Sequence, residues 1–373
     1  MLAWRNLVHR KARTATAIVG LAFPITLVFV QLGLSEAVLK NATVIYDALS
    51  FDVALVSSNY VSIWKAGRFP RIRLQQALAV PGVEDVSPLY VAFLPWRNPA
   101  TGHRRDIFMI GCDPRRHFFR LPEVRTLAHE LQRLDTVLVD RLTRPEFGPR
   151  MLGGDGEAGG RRLKLVGEYT LGAGFYADAT LIGSDETFVR LLRHQPLQEV
   201  NIGLVRLGPG VDPDAVAREL SRRLPDDVRA RSRKMLEVHE RDYWDRVSAV
   251  GVIFGVGTVV GFAVLAVIAY QLVSTDITRR LREYATMKAI GYVHARIVQV
   301  VLQQALMLAA LASTLGFLLA LPVYGLLTRA THLPVTMTLG RAVGVIALAA
   351  ALAMASTLIA VRRLRSADPA DLF

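Results

Sequence analysis

The sequence predicts a membrane protein of four transmembrane α-helices, with a large mixed α/β extracytoplasmic domain inserted between the first and second helices. Three observations carry that prediction. Four uncharged runs, at residues 14–35, 247–275, 297–328 and 342–361, each reach the ~20 residues needed to cross a bilayer. The segment between the first two runs is rich in charge and mixes strand and helix periodicities. The cations, finally, are concentrated beside the runs. Residues 1–13, 276–296 and 362–373 hold twelve Lys and Arg against Asp276, Glu283, Asp368 and Asp371, whereas residues 37–246 hold 31 cations and 27 acids. Lys and Arg resist transfer across a membrane. The net charge of +13 is therefore accounted for by topology, and no nucleic-acid partner is expected.

Taken in order, residues 1–13 set Leu2, Trp4, Leu7 and Val8 against Arg5, Arg10, Lys11 and Arg13. This amphipathic piece suits the cytoplasmic face of the bilayer, with Trp4 as an interfacial anchor. The first span, residues 14–36, is about twice as long as a signal-peptide core, so it is expected to stay uncleaved. Residues 36–49 keep helical spacing without a breaker, which predicts that the span continues outward as a stalk. The stretch RKMLEVHERDYWDR at 233–246 lacks Gly and Pro and is expected to run straight into the second span, residues 247–275. A cytoplasmic loop at 276–296 leads to the third span, 297–328. A short outer loop, 329–341, holds Arg329 and Arg341 and no acid, the one place where the charge rule is not followed. The fourth span, 342–361, returns the tail 362–373 to the cytoplasm.

Within the domain, residues 51–56, 86–96, 200–207 and 228–232 read as strands. Residues 72–80 and 213–224 read as helices, the second capped by Asp212. Two strand-helix-strand units result, the pattern of a pseudo-repeated, porter-like fold. Residues 97–199 are a less legible mixture. GGDGEAGG at 153–160 has a phosphate-loop composition but is followed by Arg161-Arg162 instead of the Lys and Ser/Thr that hold phosphate and metal, so a hairpin tip is expected. Cys112 is the single cysteine, which excludes an intrachain disulfide, and it reads as a small buried hydrophobe.

No chemistry-bearing motif stands out. The eight histidines show neither H-E-x-x-H nor Cys/His metal spacing, and no G-x-S-x-G elbow is present. No catalytic residue, metal site or bound cofactor is expected. The four runs hold no ionisable residue, so a proton or ion relay through them lacks carriers. The second run does contain Gly251, Gly255, Gly257 and Gly261, two G-x-x-x-G units that let helices approach closely. Subunit contact and packing inside one chain are both open for them.

One peptide is unusual. Between the second and third runs lies STDITRRLREYATMKAIGY, residues 274–292. Ile277, Leu281, Tyr284, Met287 and Ile290 fall on one helical face, Arg279, Arg280, Arg282, Glu283 and Lys288 occupy much of the remainder, and Gly291 suits the residue that ends a helix. The periodicity alone leaves two readings, a helix lying on anionic lipid or a knob for a cytoplasmic partner. The segment EYATMKAIGY at 283–292 resembles the E-x-A-x-L-K-A-x-G segment of FtsX-like ABC-transporter permeases, the group that includes MacB, the LolC/LolE pair and DevC. The opening LAWRNLVHRKARTATAIVGLAFPITLVFVQLG at 2–33 is similar to the DevC branch, as is LGAGFYADATLIGSDETFVRLL at 171–192. VPGVEDVSP at 80–88 resembles the MacB-type periplasmic core. The likeness extends over essentially the whole chain.

That resemblance implies a function. The chain would be a non-catalytic permease subunit in a bacterial inner membrane, paired with a second copy as a homodimer. Each copy would bind a separate cytoplasmic ATPase carrying ATP and Mg, since no nucleotide-binding domain is fused to it. Arg279, Leu281, Arg282, Glu283, Tyr284, Met287, Lys288, Ile290 and Gly291 would form the coupling helix, and residues 1–13 the elbow helix. By analogy with DevC, a periplasmic membrane-fusion adaptor and a TolC-like outer-membrane duct would complete an exporter of a lipid, glycolipid or other hydrophobic cargo. The family also implies two alternatives, release of lipoproteins as by LolC/LolE, or regulation of a periplasmic partner without transport, as by FtsX itself.

Overall fold

The computed structural model describes residues 11–149, 153–172, 178–192, 195–279, 286, 290, 292–331 and 333–365. The chain divides into two units: one holds Met1–Ala37, Ala249–Ala330 and Pro334–Phe373, the other Val38–Ser248 and Thr331–Leu333.

Helix α1 spans Lys11–Asn41. It does not continue through residue 49 as the breaker-free sequence suggested. The backbone turns after Asn41, and a separate helical turn follows at Val44–Asp47. Tyr46 and Leu49 are both buried, and the domain core, by burying these two side chains, outweighs the weak local preference for extending a helix.

The domain then supplies β1 (Val53–Ser57), β2 (Phe69–Pro70), helix α2 (Ile72–Leu78), β3 (Val83–Arg97) and β4 (Arg104–Cys112). Next come helical turns at Pro122–Thr126 and Ala128–Leu131, then β5 (Thr136–Asp140), β6 (Asp155–Ala158), β7 (Arg161–Tyr169), β8 (Thr180–Ser184) and helix α3 (Asp185–Leu191). Strands β9 (Glu199–Val200) and β10 (Ile202–Leu207), helix α4 (Pro213–Arg223), strand β11 (Val228–Ser232) and helix α5 (Arg233–Asp242) complete it. Asp212 caps α4 as expected, its carboxylate accepting from the amides of Asp214 and Ala215.

The main sheet runs β11-β1-β10-β3-β4-β8-β5-β7-β6. In its first four strands, β1 and β3 are joined through α2 and flank β10, while β10 and β11 are joined through α4 and flank β1. Every neighbouring pair is antiparallel. These are two interleaved split β-α-β units, the arrangement of ferredoxin-like folds, and they are the two units legible in the sequence. Val53 and Leu55 face one core with Leu74 of α2 and Leu220 of α4; Ala54 and Val56 face a second core with Tyr46, Ile63 and Leu236 of α5. Burial on both faces explains why β1 lacks a polar alternation.

The less legible middle forms the remainder. β3 is long enough to leave β10 at Leu89 and continue along β4 to Arg97. From β4 the sheet passes to β8, β5, β7 and β6, and Trp96 and Arg97 of β3 then pair with Ala158 and Glu157 of β6, closing the strip on itself. The GGDGEAGG segment is a hairpin, as expected, but its tip is only Gly159-Gly160. Both residues have positive φ, 58° and 74°, as a two-residue primed turn requires. Asp155–Ala158 is strand, and Gly156 is obligatory there because a Cβ would lie 2.1 Å from the Trp96 ring.

The second unit contains α1 with α6 (Ala249–Arg279), α7 (His294–Thr331) and α8 (Leu339–Arg365). All four are long and apolar enough to cross a membrane, so the chain is a multi-pass membrane protein with a large inserted α/β domain. The helix before α6 does not run straight into it. After α5 the backbone widens into a π turn at Tyr243–Val247 and is extended at Ser248 (ψ 143°). At this break the Ser248 hydroxyl donates to the Trp244 carbonyl at 2.7 Å and the Ser248 amide donates to the Tyr243 carbonyl.

Candidate coupling site

In the helical unit α1 and α7 run parallel and touch closely. Gly316 of α7 lies against Ala22 and Ile25 of α1, the Thr26 hydroxyl donates to the Gly316 carbonyl at 3.2 Å, and the Phe29 and Phe317 rings meet edge to face at 6.0 Å. α6 is antiparallel to α1, with Gly257 beside Gln31 and Gly261 beside Val28. The Ser356 hydroxyl of α8 donates to Ala266 of α6 at 3.2 Å, and Ile277, Val301, Ala360 and Val361 form one cluster near the far end.

The two ends of this bundle differ. At one, Glu36 of α1 pairs with Arg341 of α8. The same guanidinium donates to the Tyr324 hydroxyl at 3.1 Å and to the Thr336 carbonyl at 2.9 Å, and the Tyr324 hydroxyl donates to the Phe29 carbonyl. Helices α1 and α8 extend past the uncharged runs, so both carry an ionisable residue, and the outer-loop cation that lacked a local acid finds one 305 positions away.

At the other end lies the peptide between α6 and α7. Arg279 is exposed at the last position of α6. Ile290 is 73% exposed in a turn, its amide donating to the Thr286 carbonyl at 3.0 Å. Tyr292 and Val293 are also exposed. Ile290, Tyr292, Val293, Ala295, Arg296 and Gln299 line an open hollow of about 570 Å³. Leu281, Arg282, Glu283, Tyr284, Met287, Lys288 and Gly291, together with Trp4, lie outside the described residues. Tyr292, Val293 and Arg296 were not among the coupling residues named from sequence. They continue the apolar and basic character past Gly291, the residue that the sequence marks as the end of the helix.

The glycines separate into two groups. Gly257 and Gly261 pack against α1, so they serve contact within the chain, whereas nothing lies within 4 Å of a Cβ at Gly255; Gly251 is buried. Among the described residues, no group of three His, Cys, Asp or Glu is placed to hold a metal ion.

Comparison with known proteins adds a match over the last part of the chain. Residues 251–369, which include α7, α8 and most of α6, match the family model described as FtsX-like permease C-terminal. Within these residues the chain is similar to an FtsX-like permease C-terminal domain. The matched residues include the exposed peptide between α6 and α7 as well as the helices that present it. Among solved structures, the chain is similar to the periplasmic region of MacB from Actinobacillus actinomycetemcomitans, at 9% identity and a TM-score of 0.38, covering 52% of this chain and 94% of that one. It is also similar to the extracellular domain of the noncanonic ABC-type transporter YknZ from Gram-positive bacteria, at 12% identity and a TM-score of 0.34, covering 44% and 89%. No curated protein matches the chain.

Proposed function

We propose that this permease is the membrane subunit of an ABC exporter, driven by a separate cytoplasmic ATPase that docks on the peptide between α6 and α7. One observation carries the reading. Within an FtsX-like permease domain, three large apolar side chains, Ile290, Tyr292 and Val293, are exposed beside Arg296 at one end of the helix bundle. Apolar anchors ringed by charge are what a protein partner buries. The orientation follows from charge. The end that carries this peptide also carries Lys11, Arg279, Arg296 and the basic stretch at 362–365, so it faces the cytoplasm. The opposite end pairs its Arg341 with Glu36, which supports an outward-facing α/β domain. Two copies of the chain, a membrane-fusion adaptor and a TolC-like duct would complete a DevC-like machine for a lipid or other hydrophobic cargo.

The test is recruitment. Tyr284→Ala, Met287→Asp and Ile290→Asp are expected to weaken ATPase binding ~30-fold or more, the equivalent of losing about 2 kcal/mol from an anchor, while membrane insertion is unchanged. Mild-detergent co-purification from the native host, followed by mass spectrometry, reads both the ATPase and any adaptor. Recovery of the ATPase at wild-type yield with all three variants would count against the docking site.

A further inference from the structure

We propose that Glu240 is a proton-responsive lock in the α/β domain, which ties the segment entering the domain to the helix leaving it when its carboxyl is neutral and releases them when it ionises. Glu240 sits on α5 and is fully buried, at 0% exposure. Three donors reach it from two other parts of the chain. The Tyr46 hydroxyl, in the helical turn that follows α1, lies 3.2 Å away, and the Ile63 amide lies 3.0 Å away. The Tyr60 hydroxyl also donates to it and contacts the Tyr46 hydroxyl in turn. The knot therefore links the incoming segment, the loop that follows β1 and the outgoing helix, all within one unit.

The geometry says where a proton would sit. All three donors converge on Oε1, while Oε2 is buried without a hydrogen-bond partner among the described residues. An anion would leave half its charge on an unsolvated, unpaired oxygen, which is costly, whereas a proton on Oε2 removes that charge and leaves every bond to Oε1 in place. The charged and titratable groups around the knot are Tyr46, Tyr60, Arg231 from β11 and His239 from α5, with Arg229 and Asp242 next to the last two. Burial raises both tyrosines well above their usual range, so they stay neutral donors. Burial lowers Arg231 and His239. Against those influences, burial dominates for Glu240 itself, raising it to about 7 despite the opposing hydrogen bonds from Tyr60, Tyr46 and Ile63 and the charge of Arg231.

A carboxyl raised in the folded state favours folding most below its unfolded pKa, and that contribution is lost as pH rises through the folded value. The lock is thus closed in mild acid and loosens as pH passes about 7. Between pH ~6 and pH ~8 the linkage predicts a change of about tenfold in the opening equilibrium.

The experiment uses the full chain in nanodiscs and follows hydrogen exchange at the Ile63 amide, corrected for intrinsic rate. Protection in the wild type is expected to fall about tenfold across that range. Glu240→Gln, which keeps the shape of the acid and cannot ionise, is expected to show a flat profile. His239→Asn is expected to keep the wild-type profile. If Glu240→Gln fails to fold, Tyr60→Phe, which removes a donor that favours the anion, is expected to move the titration to higher pH. A flat wild-type profile, a pH dependence that persists in Glu240→Gln, one that disappears with His239, or an unmoved titration in Tyr60→Phe would each overturn the lock.

Discussion

Glu36 and Arg341 show how a single residue can be correct in composition and misplaced in reading. Arg341 borders an uncharged run and looked like an unpaired loop cation, yet its side chain is only 6% exposed, against Glu36, with Tyr324 and Thr336 as further partners. No local spacing reveals an acid 305 positions away; only folding brings it near. Glu36→Gln would leave a mostly buried guanidinium without its counter-charge. An exposed ion pair is worth ~0–1 kcal/mol and breaking a buried one costs ~3–5 kcal/mol. Since Glu36 is about a third exposed (35%), a loss of about 2 kcal/mol is expected, read as a lower thermal midpoint of the purified chain in micelles. The double variant Glu36→Gln/Arg341→Met is expected to lose less than the sum of the two single changes, because neither charge is then stranded.

At the scale of elements, the sequence identified the glycine-rich α6 but left open which way it faces. A helix advances ~100° per residue, so the pair Gly251/Gly255 and the pair Gly257/Gly261 point about 120° apart and cannot both meet the same neighbour. The second pair meets α1, with positions for a Cβ at 2.7 Å from Gln31 and 2.8 Å from Val28, and Gly255 meets nothing within 4 Å. Gly261→Leu is therefore expected to separate α6 from α1 and to cost ~1–3 kcal/mol by overpacking, whereas Gly255→Leu leaves the thermal midpoint of the monomer unchanged. The same comparison addresses the homodimer. If Gly255→Leu shifts the chain from dimer to monomer in light scattering while its midpoint holds, Gly255 faces a second copy. Elements read from local pattern, such as α2, α4 and the strands beside them, matched well because their periodicity reports a face that one sheet buries. The helix leading into α6 was misjudged because neither Gly nor Pro marks its break. The break falls at Ser248, whose backbone is extended, and nothing in the residue types of 233–248 marks it.

At the scale of the whole chain, the order of span, domain and three further spans was legible because hydropathy and charge are additive along a sequence. The closed half of the sheet was not, because it depends on pairings between distant segments. β4 meets β8 in parallel, β5 lies between β8 and β7, and β3 closes on β6 through Trp96. Topology in the membrane rests on the additive part, and Cys112 makes it measurable. That thiol is 4% exposed and burial raises its pKa, so little thiolate is available to react and the native background is low. A cysteine placed at Ile290, 73% exposed, tests the peptide between α6 and α7. One at Thr101, exposed in the turn between β3 and β4, tests the domain. With an impermeant maleimide, Thr101→Cys is expected to label in intact spheroplasts, and Ile290→Cys only after the membrane is opened. If charge sets the orientation, that difference must appear, because a cytoplasmic ATPase docking as proposed would reach Ile290 only from the nucleotide-containing side. Labelling of both positions in intact spheroplasts would place the exposed apolar residues beyond the reach of any cytoplasmic motor, and the docking surface would then have to be sought on another part of the bundle.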